Sequence, residues 1–151
     1  MNMTMSRSMT DVLNKQVANC SVLYMKLHHY HWFVKGREFF TLHSKFEELY
    51  NEAAANMDEL AERLLAIGGT PVSTLKACLA ESSIQEAGGR ESVDQMVQAV
   101  LQDLNTMIKE MNEGIKAAET AGDAVTGDIF TGMCKSLEKH AWMLRTYMQQ
   151  G

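Results

Sequence analysis

Apolar residues recur along most of the chain every three or four positions, which is the spacing of one face of an α-helix. Four segments carry this pattern, and they predict helices at about 10 to 36, 38 to 67, 92 to 122 and 126 to 148. The rows predicted to face inward in the first two are Leu13, Val17, Cys20, Tyr24, Leu27, His31 and Val34, then Leu42, Phe46, Leu49, Ala53, Met57, Leu60 and Leu64. No segment alternates with period two for long enough to form a strand, so the chain is predicted to be all-α.

Local signals mark several of the helix ends. Ser92 and Gln95 have the spacing of a capping box, in which the two side chains satisfy each other's backbone N–H groups. The pair Gly68-Gly69 favours a C-terminal cap on the second helix. The single proline, Pro71, lies between the second and third segments, so no proline interrupts a predicted helix.

The lengths of the connections predict how the helices pack. The first and last connections are short, so each should join an antiparallel hairpin. The middle connection, about 69 to 91, has room for a short helix near residues 73 to 79 and for a crossing of the bundle. Two hairpins joined by a long crossover are typical of a ferritin-like four-helix bundle. We therefore predict one domain over residues 1–151, with residues 1–9 as a flexible tail.

Composition narrows the classes of protein to consider. Three widely separated cysteines, Cys20, Cys78 and Cys134, form no C-x-x-C pair, which argues against a disulfide framework or a thiolate zinc site. There is no signal-peptide pattern and no run of 18 apolar residues, so we expect a cytoplasmic protein without a membrane partner. The net charge of −5 gives no basic surface of the kind that nucleic-acid-binding proteins display.

Metal-ligand residue types concentrate in two places. His31 lies near the end of the first helix, and His43, Glu47, Asp58 and Glu62 follow along the second with spacings of 4, 11 and 4. On an α-helix these four positions fall within about 100° of arc. A solvated polar face would explain the carboxylates alone, but the two histidines at matching positions favour a metal site.

One chain cannot bring all five side chains to one metal ion. At about 1.5 Å per residue, the midpoint of positions 43 and 47 lies roughly 22 Å from that of 58 and 62. Either the two pairs are unrelated, or a second copy completes the site about a two-fold axis near Glu52 and Ala53. The small side chains at residues 53 to 55 would permit close approach of two such helices. The chain contains no Glu-x-x-His, which argues against a di-iron site within one subunit.

A longer motif resembles a known family. It comprises Tyr30-His31-Trp32-Phe33-Val34-Lys35-Gly36, then Phe39-Phe40-Thr41-Leu42-His43, then Asp58-Glu59-Leu60-Ala61-Glu62-Arg63. This pattern resembles the Dps family of miniature ferritins over nearly the whole chain. The resemblance implies a shell of twelve subunits that oxidises Fe(II), preferably with hydrogen peroxide, and stores the ferric product. It places a di-iron or mono-iron ferroxidase centre at each two-fold interface, with His31, His43 and Glu47 from one subunit and Asp58 and Glu62 from its partner.

The resemblance also suggests roles for three further positions and bears on Glu47. Trp32 corresponds to an aromatic residue that can donate an electron, although packing at an interface explains it as well. Asp123 and Asp128 resemble the acidic lining of an entry pore, and a helix-capping or helix-dipole role is the alternative for Asp128. Family members often have aspartate where this chain has Glu47, so the second iron position is expected to be weaker. A DNA-compacting protein and a metal-binding shell with weak ferroxidase activity are the competing functions.

The charge distribution predicts that the assembled protein binds no DNA at neutral pH and physiological salt. Such binding depends on Lys and Arg contacts to phosphates. The first 15 residues carry only Arg7 and Lys15, opposed by Asp11, and the chain ends in Gln149-Gln150-Gly151. A gel-shift assay on the purified assembly checks this, and retardation of DNA at that salt would contradict it.

Overall fold

A computed structural model describes residues 2–149, with side chains from residue 9 onward. The described residues form five helices and no strand, which confirms the all-α prediction. The helices are α1 Asn2–Phe33, α2 Phe39–Ala66, α3 Leu75–Glu81, α4 Val93–Ala121 and α5 Ala124–Met148. α1 thus begins well before residue 10. The flexible tail predicted at residues 1–9 stays a prediction, because the side chains of residues 1–8 lie outside the described part of the chain.

The predicted end signals act at the expected helix ends. Ser92 Oγ accepts from the Gln95 backbone N–H at 3.2 Å, and the Gln95 side chain accepts from the Ser92 N–H at 2.8 Å. The capping box is therefore complete at the start of α4. At the end of α2, Gly68 has a φ of +93°, and the Gly69 N–H donates to the Leu64 carbonyl at 2.9 Å. A glycine at this position avoids the strain that a Cβ would meet there.

The helices pack as two hairpins joined by the long connection. α1 packs mainly on α2 and α4 on α5, while the short α3 packs against α1. Apolar side chains from all four long helices form one core, in which Tyr30, Phe46 and Phe130 have no exposed surface. The ferritin-like bundle with a short helix in its crossover is confirmed. Within residues 2–149, no helix is both long and apolar enough to span a membrane.

Tyr24 differs from its predicted place in the inward row of α1. It is 36% exposed, whereas the other members of that row are buried. Its ring lies 4.5 Å from that of His28 and 5.8 Å from that of Tyr50, measured between centroids. Tyr24 is therefore at the edge of the α1–α2 contact and belongs to an aromatic surface cluster, not to the core.

A buried asparagine fixes the long connection to the bundle. Asn19 on α1 is fully buried, and its amide donates to Glu110 on α4 at 2.8 Å. Its carbonyl oxygen accepts from the Ser82 hydroxyl at 3.0 Å and from the Ser83 N–H at 2.8 Å. One side chain thus satisfies polar groups from α4 and from the segment that follows α3. Buried polar groups need such partners because leaving them unpaired is costly.

We expect Asn19→Ala to lower the free energy of unfolding by about 2 kcal/mol, because each buried partner left unpaired costs about 1–3 kcal/mol. Chemical denaturation at a fixed subunit concentration, followed by circular dichroism, measures the change. Asn105→Ala is the matched control, since Asn105 is exposed on α4. Equal stability of the two variants would show that the Asn19 network does not stabilise the fold.

Candidate metal centre

His31 and His43 come together at the turn between α1 and α2. His31 lies in the last turn of α1 and is 8% exposed, while His43 lies in the second turn of α2 and is half-buried. Their rings stack with centroids 3.7 Å apart and planes 14° from parallel. Phe39 stacks on His43 with a centroid distance of 4.7 Å. The hairpin and the aromatic contact therefore fix both imidazole orientations.

Two reciprocal hydrogen bonds join the histidines. His31 Nδ1 lies 2.7 Å from the His43 carbonyl oxygen, and His43 Nδ1 lies 2.7 Å from the His31 carbonyl oxygen. A carbonyl oxygen can only accept, so each Nδ1 carries the proton and donates. In the neutral imidazole the Nε2 lone pair is then available to a metal ion. This is the usual way in which a second hydrogen bond prepares a metal-binding histidine.

The carboxylates do not complete this site within the chain. Glu47 follows His43 by one helical turn, but Asp58 and Glu62 lie on the same uninterrupted helix roughly 22 Å away. All three are exposed and have no hydrogen bond or ion pair to the described side chains. Among the described residues, no three groups of the His, Cys, Asp or Glu type are placed to hold one metal ion. Each chain thus presents two separate sets of ligand-type residues.

An aromatic cluster adjoins the histidines. The Tyr50 ring meets that of His31 edge-on, at 5.3 Å between centroids and 90° between planes. Tyr50 also stacks on His28 at 3.6 Å, and His28 in turn lies 5.2 Å from Trp32. His28 Nδ1 donates to the Tyr24 carbonyl at 2.9 Å, which holds its ring in place. His28 also meets His31 edge-on at 6.4 Å, so Trp32, 60% exposed, is linked to His31 through the single ring of His28.

Tyr50 is a candidate site residue that sequence reasoning missed. It lies seven residues after His43, so the two point within about 20° of each other around α2. The helical spacing that places His43 and Glu47 on one face of α2 could also have identified Tyr50. Desolvation raises the pKa of Tyr50, and the nearby Glu47 carboxylate raises it further. The phenol is protonated near neutral pH, as an ordinary tyrosine is.

The two predicted pore residues have different surroundings. Asp123 caps α5, accepting from the Thr126 N–H at 3.0 Å and from Arg63 at 2.8 Å. Partial desolvation acts to raise the pKa of Asp123, but hydrogen bonds from Thr126 and the Arg63 guanidinium outweigh it and hold the pKa below its usual value. Asp128 is exposed and lines a surface groove with Glu119. The pore assignment of both residues stays a prediction. Asp123 also serves as the N-cap of α5.

Comparisons with known proteins agree with this fold. A family model described as a ferritin-like domain matches residues 10–151. DNA protection during starvation protein 2 of Bacillus anthracis is 52% identical, over 97% of this chain and 100% of its own length. General stress protein 20U of Bacillus subtilis is 50% identical, over 95% of this chain and 99% of its own.

Solved structures give the same relationship. The crystal structure of Dps from Staphylococcus aureus superposes with a TM-score of 0.94 at 49% identity, covering 96% of this chain and 97% of that one. Dps from Thermosynechococcus elongatus superposes with a TM-score of 0.96 at 32% identity, covering 99% and 96%. The fold and its histidine-bearing hairpin define a ferritin-like protein. Within that class, the chain belongs to the Dps family.

The cap at Asp123 generates a prediction. Asp123→Ala should destabilise the protein by about 1 kcal/mol, the usual cost of losing an N-cap. A carboxylate with a depressed pKa stabilises the fold above its unfolded pKa and loses this effect as the pH falls through its folded pKa. The difference from wild type should therefore shrink below about pH 4. Thermal unfolding at several pH values measures it. Asp128→Ala is the control, and an equal loss there would contradict a specific capping role for Asp123.

Proposed function

We propose that this chain is the subunit of an iron-oxidising miniature ferritin whose ferroxidase centres lie between two copies. Iron storage and protection from stress are the functions that its family supports. In the proposed dimer two α2 helices run antiparallel about a two-fold axis near Glu52 and Ala53. Each centre then combines His31, His43 and Glu47 of one subunit with residues 58 and 62 of the other. Twelve subunits would enclose the cavity that stores the ferric product.

The preorganised histidine pair carries this proposal. Both rings are fixed, and both Nε2 lone pairs are available without any rearrangement of the hairpin. The complementary carboxylates lie on the same stripe of the same helix, too far away to join them in one chain. A two-fold axis midway along α2 is the simplest operation that pairs the two half-sites and produces two identical centres.

The midpoint of α2 is compatible with close approach of a second helix. Ala53 is buried in the chain's own core, while Ala54 is half-buried and Ala55 exposed. Residues 54 and 55 therefore present methyl groups at the outer face. Small side chains let two helix backbones approach closely, and here they would leave the axis free of bulky groups.

The ligand types suit Fe(II) as substrate. Imidazole and carboxylate donors bind divalent iron, and they also accept zinc and cobalt. The DNA protection during starvation protein of Listeria innocua is 41% identical to this chain. Dps from Listeria innocua has been solved after soaking with zinc and with cobalt. In our proposal Asp58 and His31 hold the first ion and Glu62 bridges to the second. His43 and Glu47 hold that second ion.

Hydrogen peroxide is the proposed oxidant. Consuming peroxide together with Fe(II) removes both reagents of hydroxyl-radical formation and would account for a protective role. Glu47 favours a second candidate, a shell whose ferroxidase activity is weak. Its carboxylate is exposed and unconstrained by hydrogen bonds to the described side chains, so ordering it on a second iron costs conformational entropy. The two candidates differ in the occupancy of that second position.

Replacing both histidines tests the centre. The double variant His31→Ala/His43→Ala should leave the mass of the assembly unchanged but slow peroxide-driven iron oxidation by at least about tenfold. Removing only a hydrogen-bond partner of a metal ligand commonly costs that much, and here two ligands themselves are removed. Stopped-flow absorbance of the ferric product gives the rate, and light scattering gives the mass.

His29→Gln is the control for this test. His29 is a half-buried histidine on the same helical turn and outside the proposed ligand set. The His29→Gln variant should oxidise iron at the wild-type rate. If the double variant kept the wild-type rate in an intact assembly, the proposed centre would be wrong.

A further inference from the structure

A buried histidine joins α5 to the side of α2 that faces away from His43 and Glu47. His140 on α5 is 5% exposed, and its two ring nitrogens contact different side chains of α2. Nε2 lies 3.0 Å from Oε1 of Glu52, and Nδ1 lies 3.0 Å from Nζ of Lys45. Positions 45 and 52 are about 160° and 180° from position 43 around the helix. The proposed ferroxidase centre therefore uses none of these three residues.

The two contacts determine which nitrogen of His140 carries the proton. An ammonium group has no lone pair and can only donate, so Nδ1 accepts from Lys45. Nε2 therefore carries the proton and donates to Glu52, whose other oxygen accepts from the Ser136 hydroxyl at 2.8 Å. A carboxylate behind the N–H of an imidazole is an arrangement that commonly prepares a histidine to bind a metal ion. His140 thus presents the Nδ1 lone pair to a cation, with Glu52 behind it.

The Lys45 ammonium is the cation that faces this lone pair. Besides Nδ1 of His140, it contacts Oε1 of Glu48 at 3.2 Å and Sδ of Met143 at 3.4 Å. Nitrogen, oxygen and sulfur donors from two helices thus surround one positive charge. His140 and Met143 are three residues apart on α5, so their side chains are neighbours on that helix. An imidazole combined with a thioether favours Cu(I) over hard ions such as Mg²⁺ and Ca²⁺.

We propose that His140, Met143 and Glu48 form a site for Cu(I) between α2 and α5, which the Lys45 ammonium occupies and keeps closed to metal ions. This site is separate from the ferroxidase centre and does not depend on it. Bonds from such donors to a transition metal are about 2.0–2.3 Å long, so the donors would move inward by about 1 Å. Glu48 and Met143 can do so, because the Glu48 side chain is 59% exposed and Met143 is 36% exposed. Both line a surface groove of about 350 Å³ through which an ion can enter.

The resident ammonium has two consequences for the folded protein. It satisfies the buried Nδ1 acceptor of His140 without a metal ion, so α2 and α5 are joined whatever the supply of copper. It also keeps a redox-active ion out of the bundle. Cu(I) reacts with hydrogen peroxide to give Cu²⁺, hydroxide and a hydroxyl radical, as one electron passes from copper to the breaking O–O bond. Exclusion of copper by Lys45 therefore fits the protection from stress that the family supports.

Binding of Cu(I) to the assembled protein tests the site. Wild type and Lys45→Ala are titrated anaerobically with Cu(I) against a colorimetric chelator, and light scattering gives the mass of each assembly. Lys45→Ala should bind one more copper ion per subunit than wild type. X-ray absorption of that variant should show a sulfur ligand that is lost when Met143→Leu is added. Lys45→Gln, which retains more of the packing of the lysine side chain, should behave like Lys45→Ala.

Two controls separate the site from a mere change of charge. Lys139→Ala removes one positive charge from an exposed position beside His140 and should bind no additional copper. The double variant Lys45→Ala/His140→Gln should lose the additional ion. Thermal unfolding gives a second measurement, since a ligand that binds only the folded state stabilises it. Cu(I) should raise the unfolding midpoint of Lys45→Ala by more than that of wild type or of the double variant.

Three results would overturn the proposal. If neither Lys45 variant binds additional copper in an assembly of normal mass, the three donors do not form a site. If the additional ion persists after Met143 and His140 are replaced, it is bound elsewhere, for example by one of the buried cysteines Cys20, Cys78 and Cys134. If wild type binds copper through Met143 as tightly as the Lys45 variants do, the ammonium does not close the site.

Discussion

The continuity of α2 is the constraint on which the proposed chemistry depends. The helix runs from Phe39 to Ala66 without a break, so its two ligand pairs are held roughly 22 Å apart whatever the rest of the chain does. Ligand bonds to such metals are near 2 Å, and no side-chain movement spans the difference. In the proposed centre, each end of this one helix therefore supplies half of the ligands. In this account, catalysis begins only when a second copy supplies the other half.

Each half-site is prepared in a different way. The histidine half is rigid, because reciprocal bonds to backbone carbonyls set the tautomer and direction of both rings before any metal arrives. The carboxylate half is exposed and makes no hydrogen bond or ion pair to the described side chains, and in the proposed dimer it gains partners on assembly or metal binding. A rigid imidazole pair facing adaptable carboxylates can accept an ion whose charge and coordination change during oxidation. The same hairpin places Tyr50 and His28 against His31, so an aromatic cluster adjoins the proposed histidine ligands.

Much of this architecture could be predicted from the sequence, for identifiable physical reasons. Helical periodicity, the Ser92 capping box and the glycines after Ile67 act locally, and each appears in the structure where it was expected. Helical spacing likewise put His43 and Glu47 on one face. The reciprocal bonds between His31 and His43 could not be foreseen, because they depend on how the turn closes. Asn19 was not predicted for a similar reason, since a polar residue beside an apolar row shows its partners only after distant segments pack.

Complementation between two defective subunits tests the shared centre most directly. His43→Ala and Asp58→Ala chains are assembled separately and as an equal mixture, with the mass of each assembly measured. A mixed dimer loses both ligands from one centre and keeps the other complete, so random pairing restores about a quarter of the centres. We expect each variant alone to oxidise iron slowly and the mixture to recover about that fraction of the wild-type rate. Co-assembled mixtures that stay as slow as the separate variants would contradict a centre shared between chains.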